Sequence, residues 1–226
     1  MNAPEPLPAP AVVLMAATLV AALLAIASAP WALAQPWLNF AFKPMATILI
    51  IIQAWPRGAN TPVLRRWLLA GLMLSLAGDV ALLWPAQGFL AGLASFLLAH
   101  LAYLTAFTRV QRLAARIGPF VVYAVVAGGV LTVLWPGVPP PLRGPVLAYV
   151  LCLSAMAAQA GVLWRAAPTD PAARRMALGG ALFVVSDALL AVNRFAVPLP
   201  LASLFILVPY WAAQACIASG LARAPR

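Results

Sequence analysis

The sequence predicts an all-α fold, a polytopic transmembrane bundle of eight helices. Three observations predict it. The 226-residue chain is 65% hydrophobic and only 8% charged, where soluble domains run to about 25% charged. Its mean hydropathy is +1.00. Apolar runs of about 18–22 residues recur along the whole length, each long enough to cross a bilayer's hydrocarbon core.

Proline, glycine and arginine punctuate these runs and give each element its bounds. The first span, 11–29, follows a tail (1–10) of sequence MNAPEPLPAP. The stretch ALAQ (32–35) resembles a small-residue cleavage site, but the tail lacks the basic residues of a signal peptide, so the span is expected to stay uncleaved. Span 2 (37–54) lies between Pro36 and Pro56, and span 3 (63–84) between Pro62 and Pro85. Span 4 (88–108) gives way to a loop ending at Gly118 and Pro119, where span 5 (118–135) begins. The run Pro136 to Pro141 separates span 5 from span 6 (145–164). Pro168 and Pro171 precede span 7 (174–193), and Pro198 and Pro200 mark the start of span 8 (199–221). Proline at span ends is expected, because it cannot continue a helix interior. Residues 222–226 form a short tail, and the whole chain, 1–226, reads as a single integral membrane domain.

Charge sets the orientation. Arg57, Arg65, Arg66, Arg109, Arg112, Arg116, Arg165, Arg174, Arg175, Arg223 and Arg226 fall on one side of the membrane; Arg143, Arg194 and Lys43 fall on the other. By the positive-inside rule both termini are cytoplasmic. The formal charge of +10 therefore reports topology. The basic residues form no continuous face, which argues against nucleic-acid binding. One lysine against thirteen arginines matches a GC-rich bacterial genome and hence a bacterial inner membrane. Cys152 and Cys216 fall inside apolar runs and are expected as free thiols.

A shift of 108 residues reveals a repeat. Arg66 falls on Arg174, Gly71 on Gly179, Leu74 on Leu182, Asp79 on Asp187 and Leu82 on Leu190; LAS (93–95) falls on LAS (201–203). Spans 3 and 4 thus resemble spans 7 and 8. Four spans separate the copies, so the predicted layout is a parallel 4+4 internal duplication about an axis along the membrane normal, as in some transporters.

The chain has only four acidic residues, and two of them, Asp79 and Asp187, sit inside apolar runs. Ionisable groups at membrane depth cost several kcal/mol and face the bundle interior or a cavity. Counting in from the span ends at about 1.5 Å per residue, Asp79, Asp187 and Lys43 all lie roughly 8–10 Å below the outer boundary. Three such groups at one depth predict a shared polar pocket opening outward. His100 lies deeper, with Tyr103 one turn on. Ser75 precedes Asp79 by a turn, Asn193 follows Asp187, and Tyr210 and Gln214 share one face of span 8. Tyr149 and Gln159 are further candidates. Each has a plainer reading: Lys43 could snorkel to the interface, the aspartates could be interhelical hydrogen-bonding glue, and His100, Tyr210 and Gln214 could be satisfied core groups.

One histidine, two scattered cysteines and two buried acids do not make a convincing catalytic zinc site, and no metal or other cofactor is expected. No phosphate-cradling glycine loop appears, and no serine stands in a nucleophile elbow. What remains is a carboxylate pair with a lysine, a histidine and tyrosines. That set supports acid–base hydrolysis, one acid donating a proton while the other stays ionised. It equally supports a proton-coupled transporter. The residues alone leave both open, although the cytoplasmic ends of the spans are poor in polar residues.

FKPMATILI (42–50), SLAGDVALLW (75–84), GLASFLLAHLAYLTAF (92–107), GALFVVSDALLAVNRF (180–195) and YWAAQACIASG (210–220) together resemble the lysoplasmalogenase, or YhhN-like, family of membrane proteins. The family pattern is K-P in span 2, G-D in span 3, H-x-x-Y in span 4, S-D-x-x-L-A in span 7 and Y-x-x-x-Q in span 8, and all five occur here in order. The resemblance implies a membrane hydrolase that cleaves the vinyl ether bond of a lysoplasmalogen, or a related ether lysolipid, to a fatty aldehyde and a glycerophospho-head group. It implies Asp79, Asp187 and His100 as catalytic residues, and Lys43, Tyr103, Asn193, Tyr210 and Gln214 as substrate-binding residues. Lys43 would bind phosphate or hold one aspartate ionised. The expected partners are a lysophospholipid substrate and the surrounding lipid.

Overall fold

Four of the helices begin on proline, whose missing N–H costs nothing in a first turn where that group has no partner. In the computed structural model, which describes residues 9–222, the helices are α1 (Ala9–Ala27), α2 (Pro36–Ala54), α3 (Pro62–Ala81), α4 (Phe89–Thr108), α5 (Ile117–Leu134), α6 (Pro140–Ala166), α7 (Pro171–Phe195) and α8 (Ala202–Ser219), with a 3₁₀ turn at Trp135–Gly137. Proline opens α2, α3, α6 and α7. Asp170 caps α7 by accepting the Ala172 N–H at 2.9 Å. The tail up to residue 8, Arg223 and Arg226 lie outside the described residues.

The polytopic helical bundle expected from sequence is therefore present. Seven of the helices are long and apolar enough to cross a membrane. The exception, α3, carries Arg65, Arg66 and Asp79 within its 20 residues. Four boundaries differ by three residues or more; α7 starts at Pro171 rather than 174 and α8 at Ala202 rather than 199. Helix α6 starts at Pro140 rather than 145, because prolines are tolerated in a first turn. Helix α3 stops at Ala81 rather than 84, and the chain turns back through Trp84 and Gly88. Cys152 and Cys216 are free.

The most extensive packings are α3 on α4 and α7 on α8, the two hairpins that share the sequence repeat. Glycine permits both approaches. A Cβ at Gly71 would lie 2.3 Å from the Tyr103 ring of α4, and one at Gly179 would lie 2.9 Å from the Ala213 carbonyl of α8. Three other pairs of packings match under a four-helix shift: α1 on α2 with α5 on α6, α2 on α3 with α6 on α7, and α2 on α8 with α6 on α4. Three pairings break the match, α5 on α7 and α3 on α8 among them. Helix α1 packs against α8, but no comparable packing joins α5 to α4. Instead α5 rests on α6 and α7, and a groove is left beside it.

Candidate active site

Two polar clusters occupy the bundle interior, each built on one aspartate. The first centres on Asp79, at the last turn of α3, which is 1% exposed. Its Oδ2 accepts hydrogen bonds from Thr47 Oγ1 of α2 at 2.6 Å and from the Tyr210 hydroxyl of α8 at 2.7 Å. Lys43 Nζ, one turn before Thr47, stands 3.8 Å from Oδ1. The cluster extends inward. Trp211 Nε1 donates to Thr47 Oγ1 at 3.2 Å, Gln214 Nε2 donates to the Tyr210 oxygen at 3.1 Å, and the Tyr103 hydroxyl donates to Gln214 Oε1 at 2.8 Å. Asp79 Oδ2 thus accepts from two neutral hydroxyls while Oδ1 faces the Lys43 amine. Pro44 and Pro209, inside α2 and α8, directly adjoin Lys43 and Tyr210.

The second cluster centres on Asp187 of α7. Its Oδ2 accepts from the Tyr149 hydroxyl of α6 at 2.5 Å and lies 3.3 Å from His100 Nε2 of α4. His100 Nε2 is also 3.0 Å from the Tyr149 oxygen. His100 is wholly buried, and its Nδ1 meets no hydrogen-bond partner. The ring is held instead by edge-on packing against Tyr149 and Phe183. Helix roles correspond between the clusters: α2 and α8 serve the aspartate of α3, while α6 and α4 serve the aspartate of α7.

The two clusters differ in access. Asp79 is sealed, whereas Asp187 and Tyr149 line the groove beside α5. Apart from these two, Ser154 and Arg194, that groove is walled by aliphatic, alanine and phenylalanine side chains such as Leu93, Phe96, Val130 and Val150. It lies toward the end of the bundle opposite the arginine-rich loops. Phe183 separates the clusters and touches both, packing on His100 on one side and on Tyr103 and Tyr210 on the other.

The sequence-derived residues therefore fall into two places rather than one shared pocket. Lys43, Asp79, Tyr103, Tyr210 and Gln214 come together; Asp187 and His100 come together separately; among the described residues no hydrogen bond or ion pair joins Asp187 to Lys43 or Asp79. Asn193 belongs to neither. Its Oδ1 accepts the Leu199 N–H at 2.8 Å and shapes the α7–α8 connection. Gln159 is also engaged elsewhere, bonding Gln111, Arg112 and Ala114 of the α4–α5 loop, where Ala114 adopts a left-handed φ of 53°. Thr47, Trp211 and Phe183 were missed. Thr47 lies four residues after Lys43, so helical spacing could have found it. Nothing in sequence singles out Phe183. Among the described residues no three His, Cys, Asp or Glu side chains come together as a metal-ligand set.

Fold and site define an integral membrane protein whose interior holds two carboxylate centres, one sealed and one open to an apolar groove. The chain belongs to the YhhN family, whose model matches residues 38–221. It is 35% identical over 170 residues to human lysoplasmalogenase TMEM86B, covering 75% of this chain and 68% of the relative. It is 32% identical over 195 residues to the pig TMEM86B, covering 85% and 79%. It is 34% identical over 193 residues to a lysoplasmalogenase of Mycobacterium tuberculosis, covering 80% and 69%. No solved structure matches the chain.

Proposed function

We propose that this protein is a membrane hydrolase that cleaves the vinyl ether bond of a lysoplasmalogen or a closely related ether lysolipid. The observation that carries the reading is Asp187: a carboxyl group in the wall of an otherwise apolar groove, braced from behind by Tyr149 and His100. Relatives named lysoplasmalogenase point to the same chemistry.

A vinyl ether is hydrolysed by protonation of its β-carbon. The alkene electrons take the proton, and the α-carbon becomes an oxocarbenium ion. Water adds to that carbon and loses a proton. The hemiacetal then collapses, its C–O bond breaking as the glycerol oxygen is protonated, and the aldehyde forms. Asp187 supplies the first proton. Tyr149 and His100 both engage Oδ2, so Oδ1 is the oxygen left to carry the proton toward the groove. Once deprotonated, Asp187 faces the cation it has made and takes the proton that the incoming water releases. Asp79 is the standing charge. As a carboxylate facing Lys43 and hydrogen-bonded by Thr47 and Tyr210, it sets up a field that, carried past Phe183, would favour positive charge in the neighbouring cluster. Lys43 keeps Asp79 ionised rather than binding phosphate, because it is 8% exposed and faces that carboxylate. The lipid chain lies along the groove, and the aldehyde leaves into the bilayer.

By the positive-inside rule the arginine-rich end is cytoplasmic, which puts the groove in the outer leaflet of a bacterial inner membrane. The test is aldehyde release from 1-alkenyl-lysophospholipid by purified protein in detergent. D187N should lower turnover by about 10²–10⁴-fold, the usual contribution of a general acid, while remaining folded. Undiminished turnover in D187N would remove Asp187 from the reaction.

A further inference from the structure

The groove that reaches Asp187 ends in a cation, and we propose that this cation, Arg194, recognises the phosphate of the lysolipid. The proposal rests on the hydrolase reading for its ligand but assigns a residue outside both carboxylate clusters.

Three cations stand at this end of the bundle. Lys43 faces Asp79 at 3.8 Å. Arg143 donates from Nε to the Val138 carbonyl at 3.4 Å and stacks on Trp135, 5.2 Å from the ring centroid, so it holds the α5–α6 turn. Among the described residues Arg194 has no acidic or carbonyl partner. The aspartates among the described residues are Asp79, Asp170 and Asp187, and none pairs with it. Its guanidinium lies over Phe89, at the start of α4, 5.0 Å from the ring centroid. A guanidinium stacked on a ring keeps its N–H edge free in the plane, the geometry that binds phosphate oxygens two at a time.

Spacing fits as well. Arg194 follows Asp187 by seven residues on one helix, so the two lie on nearly the same face, about 10.5 Å apart along the axis. Both line the same groove. In a lysoplasmalogen, five single bonds of about 1.5 Å each separate the vinyl ether oxygen from phosphorus, a span of about 6 Å. With the β-carbon beside Asp187, the phosphate comes within reach of the Arg194 side chain, and the hydrocarbon tail runs on along Val150, Leu153 and Val126. The groove lies where α4 and α5 fail to pack, so the tail enters sideways from the bilayer while the phosphate stays at the interface.

Arg194 thus sets affinity for the head group and leaves the bond-breaking step alone. R194Q should raise KM for 1-alkenyl-lysophosphatidylcholine about tenfold, the loss of one charge-assisted contact at a partly hydrated site, with kcat unchanged. KM for 1-alkenylglycerol, which has the same vinyl ether and no phosphate, should not move. R194K should fall between, keeping the charge but not the planar fork. An R194Q protein with unaltered KM for the phospholipid, or with KM raised equally for both substrates, overturns the assignment. Binding of tritiated 1-alkyl-lysophosphatidylcholine, which has no vinyl ether to cleave, separates the two readings. Arg194-dependent binding by a protein that releases no aldehyde would refute the hydrolase reading and leave this one standing. Binding equal in R194Q and the parent would refute this one.

Discussion

The Lys43–Asp79 pair offers a way to tell a charge that works in the reaction from one that only holds helices together. The two groups are 3.8 Å apart and shielded from solvent. At that separation opposite unit charges attract by about 4 kcal/mol at an effective dielectric constant of 20. Removing one partner of a buried pair costs about 3–5 kcal/mol, mostly because the other charge stays behind. K43M leaves a carboxylate that still accepts from Thr47 and Tyr210, so its loss should fall near the lower figure, about 3 kcal/mol. D79N leaves an ammonium facing a neutral amide and should fall near the upper, about 5 kcal/mol. K43M/D79N removes both charges and should recover most of that stability, to within about 1–2 kcal/mol of the parent. Thermal unfolding in detergent measures the stabilities, and aldehyde release measures activity. The double variant should be stable and inactive. A double variant that is both stable and active would show that Asp79 serves only to neutralise Lys43, and its electrostatic role in the mechanism would be refuted.

Two further outcomes follow from single contacts. G71A places a methyl group 2.3 Å from the Tyr103 ring and should cost about 1–3 kcal/mol of stability by overpacking; because Tyr103 anchors the Gln214–Tyr210–Asp79 chain, turnover should fall with it, and an unaltered melting temperature would contradict the close α3–α4 approach. N193A removes the acceptor for the Leu199 N–H and should lower stability by about 1 kcal/mol with KM unchanged, whereas a raised KM at constant stability would return Asn193 to the substrate.

The helices were legible because lipid enforces them. A backbone in hydrocarbon has few options besides helix, so apolar runs bounded by proline and arginine gave all eight elements, most of them to within a few residues. The buried aspartates were legible for a related reason, since a charge inside an apolar run stands out. How the polar groups divide was not. Counting residues from span ends placed Asp79, Asp187 and Lys43 at one level, but helix rotation decides which faces meet, and a bulky apolar side chain, Phe183, stands between the two sets. Tyr149 could be named only as a lesser candidate, because nothing in α6 says that its hydroxyl points at α7. Asn193 misled for the opposite reason: one turn and a half beyond Asp187 it looks like part of the site, yet so near the helix end its amide serves the loop. Arg194 was read as a topology marker, and its relation to the groove emerges only when α4 and α5 are seen to part.

That parting has a consequence for how one chain can carry two similar carboxylates and yet run a single reaction. The molecule has two aspartate sockets, one on α3 and one on α7. The first is sealed, its aspartate 1% exposed, and α1 packs on α8 beside it. At the second, α5 rests on α6 and α7, and the flank beside it is the apolar groove that reaches Asp187. Which of the two carboxyl groups meets the bilayer side of the bundle thus turns on where one peripheral helix rests.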